Sequence, residues 1–204
     1  TMWKEAIITP VPKKGDLSNI KNYRPISLTE SLRKLYERCL LKQLCYYLEP
    51  LDIAQGGFRA RRSTIDQIAC LHEAIIQRKK ITRKYPIVAY LDIQAAYDTV
   101  DRNKLWNELY SKGVDHELLV ALKELFNQNE SKVMVDGSSS RKISQPMGLL
   151  QGSILSPILY ATFIAKLAAR LRNMKLPTMN KIKISSFFYA DDIALVADDC
   201  ETMH

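Results

Sequence analysis

Apolar residues recur every three or four positions in several stretches of the chain, and this spacing predicts helices. The first covers residues 30–48, with Thr29 as its cap. The second follows Ser63, which forms a capping-box pattern with Asp66. The remaining helices are expected at residues 101–112, 115–127 and 157–172. The residues expected to form the core-facing stripe of the first helix are Leu32, Leu35, Tyr36, Cys39, Leu40, Leu44 and Leu48.

Runs of apolar and β-branched residues between these helices predict strands. KEAIITPVP is a strand whose Pro10 and Pro12 suit a sheet edge or a strand end. YPIVAYLDI is interpreted as a buried strand ending in Asp92, and SKVMVDGSSSRKIS as a hairpin turning at Asp136-Gly137. KISSFFYADDIALVA predicts a second hairpin. Since strands and helices alternate without a regular βα repeat, the sequence predicts an α+β fold with an antiparallel sheet packed on helices.

Two adjacent acids, Asp191 and Asp192, interrupt the apolar run of the last hairpin. A charge among apolar residues is costly unless it is paired or binds a metal. A solvated loop is the simpler interpretation of such a pair, but the apolar residues on both sides disfavour it. If these acids lie beside Asp92, they would repel one another without a cation. Hard ions such as Mg²⁺ bind carboxylates of this kind together with substrate phosphates, and two such ions can catalyse phosphoryl transfer.

Composition narrows the class of protein. With 204 residues, of which 47% are hydrophobic, the chain is long enough for one well-buried domain or one domain with an added lobe. No apolar run reaches the roughly 18 residues that span a bilayer, and no signal segment is visible, so no membrane partner is expected. The Cys and His spacing does not suit structural zinc, so free thiols in a reducing, intracellular compartment are expected. These residues are Cys39, Cys45, Cys70, Cys200, His72, His116 and His204.

The positive charge is concentrated in one part of the chain. Residues 1–84 contain 17 Lys and Arg against 8 Asp and Glu, a net charge of +9, whereas residues 85–204 contain 13 against 14. A basic half beside a near-neutral half favours a polyanionic partner such as nucleic acid. A solvated basic face without a partner is the alternative.

Five motifs, in order along residues 23–197, carry a family resemblance. FFYADDIALVA resembles the Y-x-D-D motif of reverse transcriptases, and YLDIQAAYDTVDR resembles their D-x-x-x-A-[FY]-D motif. GLLQGSILSPILYATFI resembles their Q-G-S-x-L-S-P motif. Upstream, YRPISL and GFRARRSTIDQI are similar to fingers motifs of non-LTR retrotransposon and group II intron relatives. Any one motif would be modest support, but the ordered set covers nearly the whole chain.

The resemblance implies a role for each acid. Asp92 and Asp191 would be the two metal-bridging carboxylates, with Asp192 as a weaker or indirect ligand. Ile93 would sit beside the same metal through its main-chain carbonyl. The implied cofactor is a pair of Mg²⁺ ions, which Mn²⁺ could replace.

The resemblance also implies substrate contacts. Tyr97 would pack under the incoming sugar and reject a 2′-hydroxyl, and Gln151 and Gly152 would form the loop beside the incoming nucleotide and template base. The fingers residues near the triphosphate or template backbone would be Arg24, Arg59 and Arg62. The alternatives are core packing for Tyr97, a loop-stabilising amide for Gln151, and a solvated loop for the arginines.

Taken together, the resemblance implies a right-hand polymerase with a basic fingers segment at residues 1–84 and a palm at residues 85–204. The chain opens on Thr1 and is expected to be an interior piece, truncated at the C-terminus within the palm and without a thumb. The implied reaction is RNA-directed DNA synthesis from dNTP on an RNA template with a DNA primer. A catalytically inactive, nucleic-acid-binding remnant is the main alternative. An RNA-dependent RNA polymerase is another, which the bulk of Tyr97 disfavours.

Overall fold

The computed structural model describes residues 2–173, 178–179, 182–183, 186–199 and 201. Within them, the helices are α1 (Ser31–Leu48), α2 (Thr64–Thr82), α3 (Arg102–Ser111), α4 (His116–Phe126) and α5 (Ser156–Asn173). The strands are β1 (Glu5–Pro12), β2 (Tyr23–Leu28), β3 (Ile87–Asp92), β4 (Glu130–Val135), β5 (Ser138–Ser139), β6 (Ile143–Ser144), β7 (Thr178–Met179), β8 (Ile182–Lys183), β9 (Ser186–Tyr189) and β10 (Asp192–Ala197). The fold is therefore α+β, as the alternation of elements predicts.

The chain forms two compact units, each built from two separate segments. The first unit comprises Thr1–Glu49 and Tyr97–Tyr160, and the second comprises Pro50–Ala96 and Ala161–His204. These units are defined by how compactly the chain packs, whereas the predicted boundary between residues 84 and 85 separates a fingers segment from a palm by function. That functional boundary stays a prediction.

The first unit contains a five-stranded sheet in the order β2-β1-β4-β5, with β6 also paired to β4. β1 runs antiparallel to β2, but it runs parallel to β4 along Glu5–Ile8. The prediction of an antiparallel sheet is therefore wrong for this pair. A parallel neighbour requires a long crossover connection, and the chain between β1 and β4 supplies one.

The two prolines of β1 lie where the strand has a neighbour on one side only. Pro10 and Pro12 pair with β2, whereas the parallel pairing with β4 ends at Ile8. Proline lacks the N–H that a second neighbour would need, so its place at a locally free edge is the predicted one.

Helix α1 faces the core with a different side from the one predicted. Leu40, Leu44 and Leu48 are buried as expected, but Leu32 and Leu35 are exposed, and Arg33 and Glu37 take the core-facing positions. The prediction is wrong for the first half of the stripe because these two charged side chains satisfy each other and other partners inside the unit.

The predicted cap of α1 is also wrong. Glu30 occupies the N-cap position without a side-chain hydrogen bond to the helix, and among the described residues Thr29 Oγ1 has no partner. By contrast, α2 begins with the predicted capping box, in which the side chains of Ser63 and Asp66 bond reciprocally to the backbone. The turn at Asp136-Gly137 is confirmed as well, with both residues at positive φ between paired strands.

The second unit contains an antiparallel sheet in the order β3-β10-β9, with α2 packed on one face. The buried residues of this contact are Ala74, Phe187, Ala194 and Val196. β3 lies at the edge of this sheet among the described strands, and Tyr90 is 75% exposed. The expectation that β3 is buried is therefore wrong, since its first three residues are half-buried and its last three, Tyr90 to Asp92, are exposed.

The described cysteines are free thiols, namely Cys39, Cys45 and Cys70. Cys200 and His204 lie outside the described residues. None of the helices in the described ranges is both long and apolar enough to cross a bilayer.

Candidate active site

The three acids singled out from the sequence come together in the second unit. β9 and β10 form a hairpin that turns at Ala190 and Asp191, and Asp192 pairs with Tyr189 on one side and Asp92 on the other. The main-chain N–H of Ile93 donates to the carbonyl oxygen of Asp191 at 3.4 Å. That contact holds the Cα atoms of Asp92 and Asp191 within roughly 9 Å of each other, close enough for both carboxylates to reach a common ion.

Asp92 and Asp192 face the same side of the sheet because they are direct cross-strand partners. Such partners have Cβ atoms about 5 Å apart. Partial loss of solvent around the mostly exposed Asp192 carboxyl raises its pKa, and the neighbouring charges of Asp191 and then Asp92 raise it further. The site therefore favours a positive charge close to Asp192.

The donor set fits a hard divalent cation. All three side chains are carboxylates, and Asp92 and Asp192 are exposed, so a substrate could approach them. Within the described ranges, no three Asp, Glu, His or Cys side chains converge into a ready-made metal cage. Mg²⁺ commonly binds through one or two carboxylates plus substrate phosphates, so an incomplete protein cage suits this ion better than a closed structural site.

In the first unit, the loop that carries Gln151 and Gly152 is held against β2. The N–H of Ser27 donates to the carbonyl of Gln151 at 2.6 Å. Gly152 has a φ of +130°, and a Cβ at this position would lie 2.2 Å from the carbonyl oxygen of Ser27. Only glycine allows this close approach, so the position of the loop depends on residue 152 having no side chain.

Tyr97 lies beside the same loop. Its carbonyl accepts a hydrogen bond from the N–H of Leu149 at 2.8 Å. The half-buried ring of Tyr97 stacks on the ring of Tyr160, with centroids 5.2 Å apart and planes 24° from parallel. This ring contact favours the interpretation that Tyr97 packs in the core. The predicted role of Tyr97 in rejecting a ribose 2′-hydroxyl stays a prediction.

The three fingers arginines divide between the units. Arg24 is exposed on β2, opposite Val11 in the first unit. In the second unit, Arg59 is half-buried and donates to the main-chain carbonyls of Asp52 and Gln55 at 3.5 Å. Arg62 is exposed, and with Arg59 it lines a cavity of about 220 Å³.

Sequence reasoning missed a buried pair that supports the Gln151 loop. Glu37 accepts hydrogen bonds from the hydroxyl of Ser153 at 3.0 Å and the N–H of Ile154 at 2.7 Å. Its other oxygen accepts from Arg33 at 2.9 Å, and both side chains are fully buried. The signal was present, because Arg33 and Glu37 are in helical register with the buried Leu40.

Comparison with known proteins decides the family. The sequence pattern of the family described as Reverse transcriptase (RNA-dependent DNA polymerase) matches residues 11–204. The chain belongs to the reverse transcriptase family. It is 31% identical over 204 residues to the Retrovirus-related Pol polyprotein from type-1 retrotransposable element R2 of Popillia japonica, a match that covers 98% of this chain and 28% of that protein. This reverse transcriptase domain is thus related to those of non-LTR retrotransposons.

Two further relatives lead to the same family. The Probable RNA-directed DNA polymerase from transposon BS of Drosophila melanogaster is 33% identical over 199 residues, covering 95% of this chain and 21% of that protein. The RNA-directed DNA polymerase from mobile element jockey of the same species is 28% identical over 200 residues, covering 95% and 21%. The chain spans less than a third of the length of these relatives.

The fold is similar to that of telomerase. The structure of telomerase from Candida Tropicalis in complex with a TWJ fragment of telomeric RNA has a TM-score of 0.65 at 13% identity, covering 100% of this chain and 37% of that chain. A telomerase from Candida albicans in complex with a TWJ fragment of telomeric RNA has a TM-score of 0.63 at 13% identity, covering 99% and 38%. At these identities the likeness concerns the fold.

Proposed function

We propose that this reverse transcriptase domain catalyses RNA-directed DNA synthesis, with Asp92, Asp191 and Asp192 as its catalytic acids. The observation that carries the proposal is the strand register that sets Asp192 opposite Asp92, with Asp191 in the adjoining turn. A chain that folds to set three acidic residues at neighbouring backbone positions gains from a cation close to them. Family membership supports a divalent requirement, since reverse transcriptases are polymerases that handle triphosphates.

Asp92 and Asp191 would hold a pair of Mg²⁺ ions, or Mn²⁺ in their place. When bound, such ions would supply activation of the primer 3′-hydroxyl and stabilisation of the phosphate charge. Asp192, whose pKa is raised by burial and by its acidic neighbours, would be a weaker or indirect ligand. The main chain of Ile93, fixed beside Asp191 by its N–H, would present its carbonyl to the same site.

Further residues would bind and orient the substrates. We assign the loop at Gln151 and Gly152 to the incoming nucleotide and its template base, and Tyr97 to the sugar. Arg24, Arg59 and Arg62 would bind the triphosphate or the template backbone, because guanidinium groups match phosphate oxygens in geometry and charge. In this proposal residues 1–84 act as fingers and residues 85–204 as palm.

The proposed partners are an RNA template, a DNA primer and dNTP. The net charge of +9 in residues 1–84 supports a phosphate-rich partner. The same charge would serve a catalytically inactive domain that only binds nucleic acid, and this is the second candidate function.

Primer extension distinguishes the two candidates. The full chain is incubated with an RNA template, an annealed DNA primer, Mg²⁺ and four dNTPs, and a parallel experiment measures binding to the same duplex at several salt concentrations. A polymerase extends the primer, and Asp191→Asn abolishes extension while Asp136→Asn, a matched change in an exposed turn, does not. A domain that only binds gives a steeply salt-dependent affinity without extension, and an RNA polymerase extends with rNTP in preference.

A further inference from the structure

The turn that carries Asp191 has an unusual backbone conformation. Ala190 precedes Asp191 and has a φ of +58°, in the left-handed region that residues other than glycine avoid. A β-carbon makes this conformation unfavourable, so contacts from outside the turn are needed to hold it. Because Asp191 follows immediately, the direction of its carboxylate depends on how Ala190 is held.

One side chain contacts both polar groups of the Ala190 backbone. Gln55 Oε1 accepts from the N–H of Ala190 at 3.1 Å, and its Nε2 donates to the carbonyl of Ala190 at 3.4 Å. The same Oε1 accepts from the N–H of Gly57 at 2.8 Å, which fixes the amide orientation. Gln55 is 2% exposed, so water cannot readily replace these bonds.

The backbone around Gln55 is bound to the same hairpin. The N–H of Phe188 donates to Ala54 and the N–H of Gly56 donates to Phe188, both at 2.8 Å. A Cβ on Gly57 would lie 2.4 Å from the nitrogen of Ala190, so this close approach requires glycine. Residues 54–57 therefore lie directly against the turn, and within the described part of the chain Gln55 is the only side chain that hydrogen-bonds to Ala190.

We propose that Gln55 is a positioning residue, whose amide holds Ala190 in the left-handed conformation and thereby directs the Asp191 carboxylate towards Asp92. The inference rests on the proposed function, since it assigns to Asp191 a role in nucleotide transfer. In this proposal Gln55, which lies just before the GFRARRSTIDQI motif, supports the turn that carries Asp191.

The chemistry requires an amide in particular. An amide is a donor and an acceptor at once, and Ala190 needs one of each. A methionine has a similar length and no strong donor or acceptor. A deprotonated glutamate keeps the acceptor, loses the donor and adds a negative charge near Asp191. A protonated glutamate recovers the donor, and burial raises the pKa of a carboxyl at such a position.

The variants follow from this chemistry. Gln55→Met removes both bonds, and Gln55→Glu makes the bond to the Ala190 carbonyl depend on pH. The matched control is Gln67→Met, because Gln67 Nε2 donates to Phe188 at 2.7 Å and to Ala54 at 3.0 Å but, within the described part of the chain, makes no hydrogen bond to Ala190 or Asp191. Two quantities are measured on the full chain: the hydrogen-exchange protection of the Ala190 amide by NMR, normalised to intrinsic exchange at each pH, and the single-turnover rate of nucleotide addition at saturating substrate.

Gln55→Met is expected to lower Ala190 protection and the addition rate at least tenfold each, with primer–template affinity unchanged. Gln67→Met should change neither by more than about threefold, even where it lowers the melting temperature. Gln55→Glu keeps the acceptor for the Ala190 N–H at every pH but regains the donor only when protonated, so its addition rate relative to wild type should rise as the pH falls. Gln67→Met should lack this profile. If Gln55→Met does not fold, the pH dependence of Gln55→Glu decides the matter.

Two results would overturn the inference. One is wild-type protection of Ala190 in a folded Gln55→Met protein, or an addition rate of Gln55→Glu that keeps the same ratio to wild type at every pH. The other is an equal loss in Gln67→Met, which would mean that general loosening of the hairpin explains the effect. Absence of nucleotide addition in every protein, wild type included, would refute the proposed function instead, and the exchange data would still decide the role of Gln55.

Discussion

Asp92 lies directly opposite Asp192 across β3 and β10, although a hundred residues separate them along the chain. Cross-strand neighbours of like charge are destabilising. Partial desolvation and the charges of Asp191 and Asp92 accordingly raise the pKa of the Asp192 carboxyl. The metal-free protein therefore keeps an unfavourable cluster of charge that a bound cation would relieve, a pattern common at functional sites.

Neutralising Asp192 should stabilise the metal-free protein. Because the folded-state pKa is raised, the folded protein holds this proton more tightly than the unfolded chain, and stability declines as the pH rises through the folded pKa. Asp192→Asn should melt at a higher temperature than wild type at neutral pH in the presence of chelator, and the difference should shrink towards pH 4. Thermal melting at several pH values measures this, and a lower melting temperature for Asp192→Asn throughout would refute it.

A side chain at Gly152 should disrupt the first unit. In Gly152→Ala the new Cβ meets the carbonyl of Ser27, and the φ of +130° is unfavourable in addition. We expect a loss of about 2–4 kcal/mol in the free energy of unfolding. Gly137→Ala is the matched control, since its φ is +78° and nothing lies within 4 Å of the added Cβ. Its cost should be about 1 kcal/mol, and equal costs in urea unfolding would show that the contact with Ser27 is unimportant.

Removal of the Glu37 carboxylate should leave a buried positive charge on Arg33. Glu37→Ala is expected to cost about 3–5 kcal/mol in urea unfolding, whereas the exposed Arg38→Ala on the same helix should change stability by about 0.5 kcal/mol or less. Replacing both partners, Arg33→Met with Glu37→Leu, should recover much of the loss because no unpaired charge remains. A double variant as unstable as Glu37→Ala would mean that the bonds of Glu37 to Ser153 and Ile154 dominate.

Replacement of Tyr97 should relax the choice of sugar. If the ring occupies the space of a ribose 2′-hydroxyl, Tyr97→Val should raise rNTP use relative to dNTP at least tenfold, about 1.4 kcal/mol of lost discrimination. Tyr110→Val, at a tyrosine that is 71% exposed, should leave the ratio unchanged. An unaltered ratio in Tyr97→Val, with reduced stability from the lost stack on Tyr160, would assign the ring to packing.

Local sequence signals predicted the elements whose contacts are local. The capping box at Ser63 and the turn at Asp136-Gly137 depend on residues within four positions of one another, so the pattern alone was enough. The predicted meeting of Asp92 with the acid pair was a longer inference, and it succeeded because each acid sits at a strand boundary.

The errors arose where distant partners decide the outcome. Arg33 faces the core because its guanidinium reaches the carbonyls of Trp3 and Leu125, which no helical pattern reveals. In the sequence Gln55 looks like an ordinary polar loop residue. Its hydrogen bonds to Ala190 depend on a hairpin that lies more than a hundred residues away along the chain. Polar side chains that serve the backbone of another element leave no periodic signal in the sequence.

Binding of Mn²⁺, followed through the electron paramagnetic resonance signal of the free ion, tests most directly whether these acids form a divalent-cation site. Wild type and Asp136→Asn should bind with equal affinity, because Asp136 lies in the exposed turn between β4 and β5. Asp92→Asn and Asp191→Asn should each bind at least tenfold more weakly, a loss of roughly 1.4 kcal/mol or more. Equal Mn²⁺ affinity in all four proteins would contradict the assignment of Asp92 and Asp191 as metal ligands.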